Sequence, residues 1–95
     1  MDIEKIIITG NVTADAKVII NEKGRFTSFT VACNISKDEA NFYSVAVSGD
    51  NITKYLTKGK KVAVTGNPSA VIGKPNQYGV QEIYRSIKRA EVTLL

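Results

Sequence analysis

The stretch Asn41-Phe-Tyr-Ser-Val-Ala-Val-Ser-Gly49 sorts its side chains into two sets. Tyr43, Val45 and Val47 are large and apolar, whereas Phe42, Ser44, Ala46 and Ser48 are small apart from one ring. A β-strand sends these sets to opposite faces. One face suits a core. The other is nearly bare, with an aromatic at one end. Residues 26–35 repeat the pattern, with Phe29, Val31, Cys33 and Ile35 on one side and Ser28, Thr30, Ala32 and Asn34 on the other. Two such strands offer a shallow surface on which a flat ring such as a nucleobase can lie. The plainer reading is an ordinary half-solvated face with Phe42 as a stray exposed ring.

The remaining chain reads as further short strands. Lys5-Ile-Ile-Ile-Thr-Gly10 opens the first, rich in β-branched residues, and Gly10 marks a bulge or sharp bend. Residues 16–20 continue it as an extended segment. A turn follows over 21–25, with Gly24 at positive φ. Residues 50–59 are the one helical candidate. Asp50 or Asn51 caps it, Ile52, Tyr55 and Leu56 form its buried stripe, and Gly59 stops it. This predicts a plug of about two turns with Tyr55 in the core.

Residues 60–66 form a fourth strand with Val62 and Val64 inward. Residues 67–79 hold Pro68, Gly73, Pro75 and Gly79, which predicts a long flexible hairpin loop carrying Lys74 and Tyr78. Residues 80–89 form a fifth strand, with Ile83 and Ile87 inward and Tyr84, Ser86 and Lys88 outward. A short apolar ending, residues 91–95, is expected beside the first strand. Three strands, a short helix and two strands are the order of the OB-fold: an all-β, five-stranded Greek-key barrel with one helix between strands 3 and 4. Its ligand surface is the face of strands 2 and 3, flanked by the loops joining strands 1–2 and 4–5.

Composition narrows the function. A chain of 95 residues with a 43% hydrophobic fraction is one small folded domain, expected over residues 1–95. Its net charge of +4 is uneven. Residues 1–50 hold 5 basic and 7 acidic groups, a net of −2, and residues 51–95 hold 8 and 2, a net of +6. A positive half points to a polyanion partner. With no His and a single cysteine, Cys33, the chain has no internal disulfide, no usual zinc site and no nucleophile–His catalysis. No cofactor or metal is expected, and no carboxylate pair stands at a catalytic spacing. No apolar run reaches membrane-spanning length and no signal segment opens the chain, so a cytoplasmic, non-enzymatic binding protein is expected.

Several phrases resemble the bacterial and phage single-stranded DNA-binding protein family. Lys5-Ile-Ile-Ile-Thr-Gly-Asn-Val-Thr-Ala-Asp15, Phe29-Thr-Val-Ala32 and Asn41-Phe-Tyr-Ser-Val-Ala-Val-Ser-Gly49 are similar to its first three strands. Tyr55-Leu-Thr-Lys-Gly-Lys-Lys-Val-Ala-Val-Thr-Gly66 is similar to its helix end and fourth strand, and Glu91-Val-Thr-Leu-Leu95 to its closing strand. The chain departs from the family in lacking Trp, in carrying Ser48 where many members have an aromatic, in a shorter helix, and in ending at Leu95 without an acidic tail. Of the family's stacking residues, Phe42 alone carries over.

The resemblance implies sequence-independent binding of single-stranded DNA during replication, recombination or repair. It also implies a homo-oligomer, tetramer or dimer, joined through the first strand, with replication or repair proteins as further partners. A bacterial, phage or plasmid origin follows. Stacking falls to Phe42, then to Tyr78 and Tyr84. Phosphate contacts fall to Lys61, Lys74, Arg85 and Lys88, with Arg25, Lys17 and Lys37 as lesser candidates. Phe26 is left between core and surface, and Tyr43 is assigned to the core or a subunit interface. A primosome-type OB-fold that mainly contacts proteins in replication restart is the alternative, and RNA binding is a third.

Overall fold

β-branched residues at 6–8 begin the first strand, β1 (Ile6–Val12), and the strands β2 (Lys17–Asn21), β3 (Gly24–Asn34), β4 (Ala40–Ser48), β5 (Lys61–Ile72) and β6 (Ile83–Leu94) follow. The structure, a computed structural model, describes residues 4–72, 77–78 and 83–95. The strands form one sheet in the order β1-β5-β6-β4-β3-β2, and β1 also pairs with β3, which closes a five-stranded barrel. β4 and β6 are parallel, with Tyr43 beside Arg85 and Val45 beside Ile87, and the other pairings are antiparallel. This is the OB-fold expected from the sequence, with β2 as a sixth, flanking strand.

The bulky alternation fills the barrel. Ile8, Val12, Phe29, Val31, Val45, Leu56, Val62, Val64 and Ile87 form the buried core. Tyr43, Val47 and Cys33 pack against it half-buried, as their alternation predicts. Ile35 does not: it is 57% exposed. β3 ends at Asn34, and the Ile35 amide turns to donate to the Glu39 carbonyl at 3.1 Å.

Gly10 is where β1 passes from β5 to β3. A Cβ there would collide with the Ala32 carbonyl and come within 2.7 Å of Val31 Cγ1. Only a residue without a side chain lets the two strands close the barrel at this point.

The expected two-turn helix is a single 3₁₀ turn, Thr53–Tyr55. Its neighbours' backbone groups are engaged elsewhere. The Leu56 carbonyl accepts from the Ala16 amide, the Gly59 amide donates to the Val12 carbonyl, and the Val12 amide donates to the Lys60 carbonyl, all at 2.8–2.9 Å. The Lys58 amide donates to Asp15 Oδ1 at 2.9 Å. Contacts to the bend between β1 and β2 thus replace the i→i−4 bonds of a helix. Ile52, not Asp50 or Asn51, stands at the start, and no side chain caps it. Leu56 is sealed as the plug, but Tyr55 lies outside, 50% exposed, with the Lys54 ammonium 5.0 Å from the centre of its ring.

The expected loop over 67–79 begins later than the sequence indicated. Residues 67–72 continue β5 and pair with 83–88 of β6. The described pairing of β1 with β5 ends at Gly66, so among the described residues Pro68 has a β-partner only in β6, and a strand edge tolerates proline. Residues 91–94 lie beside β5, with Val64 opposite Val92, rather than beside β1. β6 is one strand interrupted by a bulge, where Gly66 of β5 faces both Arg89 and Ala90.

Candidate nucleic-acid interface

The register of β3 on β4 brings the two small-residue sets together. Ala32 lies opposite Phe42, Thr30 opposite Ser44, Ser28 opposite Ala46 and Phe26 opposite Ser48. Opposed residues share a face, and this face is turned away from the core. Ser86 of β6 extends it beside Ser44. The result is a groove of 710 Å³ with Phe26, Ser28, Ser44, Ala46 and Ser48 on its floor and Lys88 on its β6 flank. From Phe42 to Ser48 the strand runs about 20 Å at the usual rise per residue.

Phe42 stands at one end, 57% exposed. Phe26, which the sequence left unassigned, lines the other end half-buried. The two rings therefore bracket a floor of serines and alanines. Such a floor lets flat rings approach the backbone closely and offers hydroxyls to them.

The predicted cations are spread unevenly. Lys88 lines the groove. Lys17 lies opposite Ser28 across β2 and β3, and borders a smaller hollow with Asp15 and Thr30. Lys37 sits on the exposed turn that links β3 to β4, at the Phe42 end. Arg25 lies at the Phe26 end, where its Nη1 donates to Asp50 Oδ2 at 3.1 Å. That ion pair holds the guanidinium against a carboxylate of its own chain.

Two predicted cations are not brought to the groove. Lys61 is opposite Asn11 on the β1–β5 side of the barrel. Arg85 follows the inward alternation with Ile87, and it borders a separate 270 Å³ cavity with Glu4, Tyr43 and Pro68 at the barrel's end. Tyr78 is 79% exposed on its turn. The backbone of Tyr84 in β6 pairs with Val71 of β5, but the Tyr84 side chain, like the whole of Lys74, lies outside the described residues.

Arg89 lines the groove next to Lys88 and was not singled out from the sequence. The signal was present: Ile87 and Val92 both belong to the apolar set but stand five apart, and no unbroken strand sends both inward. Among the described residues no group of three or more His, Cys, Asp or Glu could hold a metal ion, and no helix is long and apolar enough to cross a membrane.

Comparison with known proteins agrees with this fold. A small single-stranded DNA-binding protein from Streptomyces coelicolor superposes with a TM-score of 0.81 at 19% identity, over 100% of this chain and 96% of that one. A Plasmodium falciparum protein of the same kind, solved in complex with single-stranded DNA, superposes with a TM-score of 0.70 at 21% identity, over 100% and 96%. In sequence, the chain is 34% identical over 70 residues to the single-stranded DNA-binding protein of Clostridium perfringens, covering 66% of this chain and 47% of that protein. It is 32% identical over 76 residues to the Treponema pallidum protein, covering 68% and 43%. The chain thus spans under half the length of these curated relatives. The model of the Single-strand binding protein family matches residues 3–94, and the chain belongs to that family.

Proposed function

We propose that this chain binds single-stranded DNA with little sequence preference and protects it during replication, recombination or repair. The observation that carries the reading is the small-residue groove bracketed by Phe42 and Phe26 and flanked by Lys88. Bases stack on the rings and lie along the serine–alanine floor, and the flanking cations take the phosphates. Stacking does not read base edges, so preference among sequences is weak. Membership of the family and the printed names of the relatives support the reading. The activity is binding, with no catalytic step, in the bacterial cytoplasm or that of a phage- or plasmid-bearing host. Phe42 is the first stacking residue, with Phe26 joining it and Tyr78 and Tyr84 as further candidates. Lys88, Lys17 and Lys37 are the nearest phosphate contacts.

One groove holds a short strand, on the order of 4–16 nucleotides, so tight binding calls for several copies. The side of β1 turned away from β5 supports a homo-oligomer. Among the described residues it is paired only at Asn11 and Val12, and the edge over 6–10 carries no neighbour. Such an edge accepts another strand. Replication or repair proteins are the further partners that fit.

The test is titration of oligo-dT with the wild-type chain and Phe42→Ala across a salt series. Loss of the ring is expected to cost about 1–3 kcal/mol of binding. An unchanged affinity removes Phe42 from the site, and absence of salt-sensitive binding by the wild type favours the protein-contact alternative. Light scattering tests the assembly: a monomer at micromolar concentration rejects it.

A further inference from the structure

From Ile87 onward, strict alternation would carry residue 91 into the core and residue 92 out of it. The structure does the reverse. Ile87 is buried, Val92 packs against the core opposite Val64, and Glu91 lies outside. One extra residue in β6 restores the phase, and the register places it where Arg89 and Ala90 share Gly66. Ala90 packs against the core, so Arg89 is the residue turned outward. Its φ is +52°, the one non-glycine among the described residues on the left-handed side.

A bulge of this shape needs only a residue that tolerates positive φ, and glycine does so without strain. Arginine, with its Cβ, does not. The chain thus keeps a strained arginine where a glycine would serve the backbone better. Strain of this kind is retained where the surrounding structure enforces it and the side chain has a use. The groove supplies the use. Lys88 and Arg89 are adjacent, both exposed, and both line it beside Ser86. Glu91 borders the same flank, but among the described residues the one ion pair is Arg25 with Asp50. The guanidinium is left to an outside anion.

We infer that Lys88 and Arg89 form a phosphodiester-binding subsite on the β6 flank of the groove, with Arg89 held outward by the bulge at positive φ. The inference rests on the single-stranded DNA reading above. An arginine at this point grips two oxygens of one phosphate, where a lysine supplies a point charge.

The experiment compares wild type with Arg89→Gly, Arg89→Asn and Arg89→Lys in oligo-dT binding across a salt series, with thermal unfolding of each. Arg89→Gly and Arg89→Asn suit the backbone and should unfold no earlier than wild type. Each should bind about tenfold more weakly and show a salt slope shallower by about 0.7, the share of one phosphate contact. Arg89→Lys should keep the slope and lose less affinity. Unchanged affinity and slope in both neutral variants overturn the inference, whatever happens to their stability. If Phe42→Ala binds weakly while those variants bind normally, the subsite is wrong and the groove stands. If wild type itself fails to bind, both fall.

Discussion

The hydroxyl oxygens of Thr27 and Thr53 lie 2.7 Å apart although the residues are 26 apart in sequence. Thr27 is fully buried and also donates to the Gly49 carbonyl at 2.7 Å. A hydroxyl has one proton, so Thr53 must be the donor in the bond to Thr27. This chain of bonds ties the start of the 3₁₀ segment to the middle of β3. Thr27→Val keeps the shape and deletes the link, leaving the Gly49 carbonyl short of a partner. The expected loss is about 1–3 kcal/mol in urea unfolding, with oligo-dT affinity retained because the residue faces away from the groove. A variant as stable as wild type would show that the link holds nothing.

Leu56 closes the barrel as a single sealed side chain. Leu56→Ala opens a cavity in a small core, nine buried hydrophobic residues among those described. The expected cost is about 2–5 kcal/mol, read as a lower urea midpoint at unchanged slope. Tyr55→Ala next to it should cost far less, since that ring stands outside the core.

Gly10→Ala forces a methyl into the Ala32 carbonyl and Val31. The neighbour is backbone, which cannot swing aside, so β1 and β3 must separate. A loss of at least about 1–3 kcal/mol is expected by thermal unfolding. Gly66→Ala meets Lys88 O at 2.8 Å and should behave likewise, while also disturbing the bulge that carries Arg89. A Gly10→Ala protein as stable as wild type would contradict the described closure.

Asp50→Asn releases Arg25 from its ion pair. The pair is exposed, and pairs of this kind contribute about 0–1 kcal/mol, so stability should barely change. Binding should tighten and its salt slope should steepen, because a carboxylate is removed and a guanidinium freed at the Phe26 end of the groove. Weaker binding by this variant would mean that Asp50 positions Arg25 rather than competing for it.

How far the sequence could be read follows from what each feature depends on. The two faces of β3 and β4 were legible because side-chain parity in a strand is local, and Phe42 was found on the open face for that reason. Phe26 was undecided from its own neighbours and acquired its place only when the register set it beside Ser48. Tyr55 was misassigned because its spacing suits a helix, and no local signal tells that Leu56 and Gly59 spend their backbone bonds on Ala16 and Val12. Residues 67–72 looked like loop because Pro68 and the later glycines are turn formers. Among the described residues β1 pairs with β5 only as far as Gly66, which removes the penalty for that proline, and where a pairing ends is a property of the whole sheet.

By itself, then, the order of residues determined most of the strands, the two faces of β3 and β4, the OB-fold arrangement and the positive second half, but not that residues 67–72 continue β5 or that 91–94 lie beside it. All of these depend on side-chain size, charge and period along the chain. The tertiary structure alone decided which cations border the groove, sending Lys88 and Arg89 to it and Arg85 and Lys61 elsewhere. It did so because closing five strands around one core fixes register between segments far apart in sequence, and a single extra residue in β6 reverses every face beyond it.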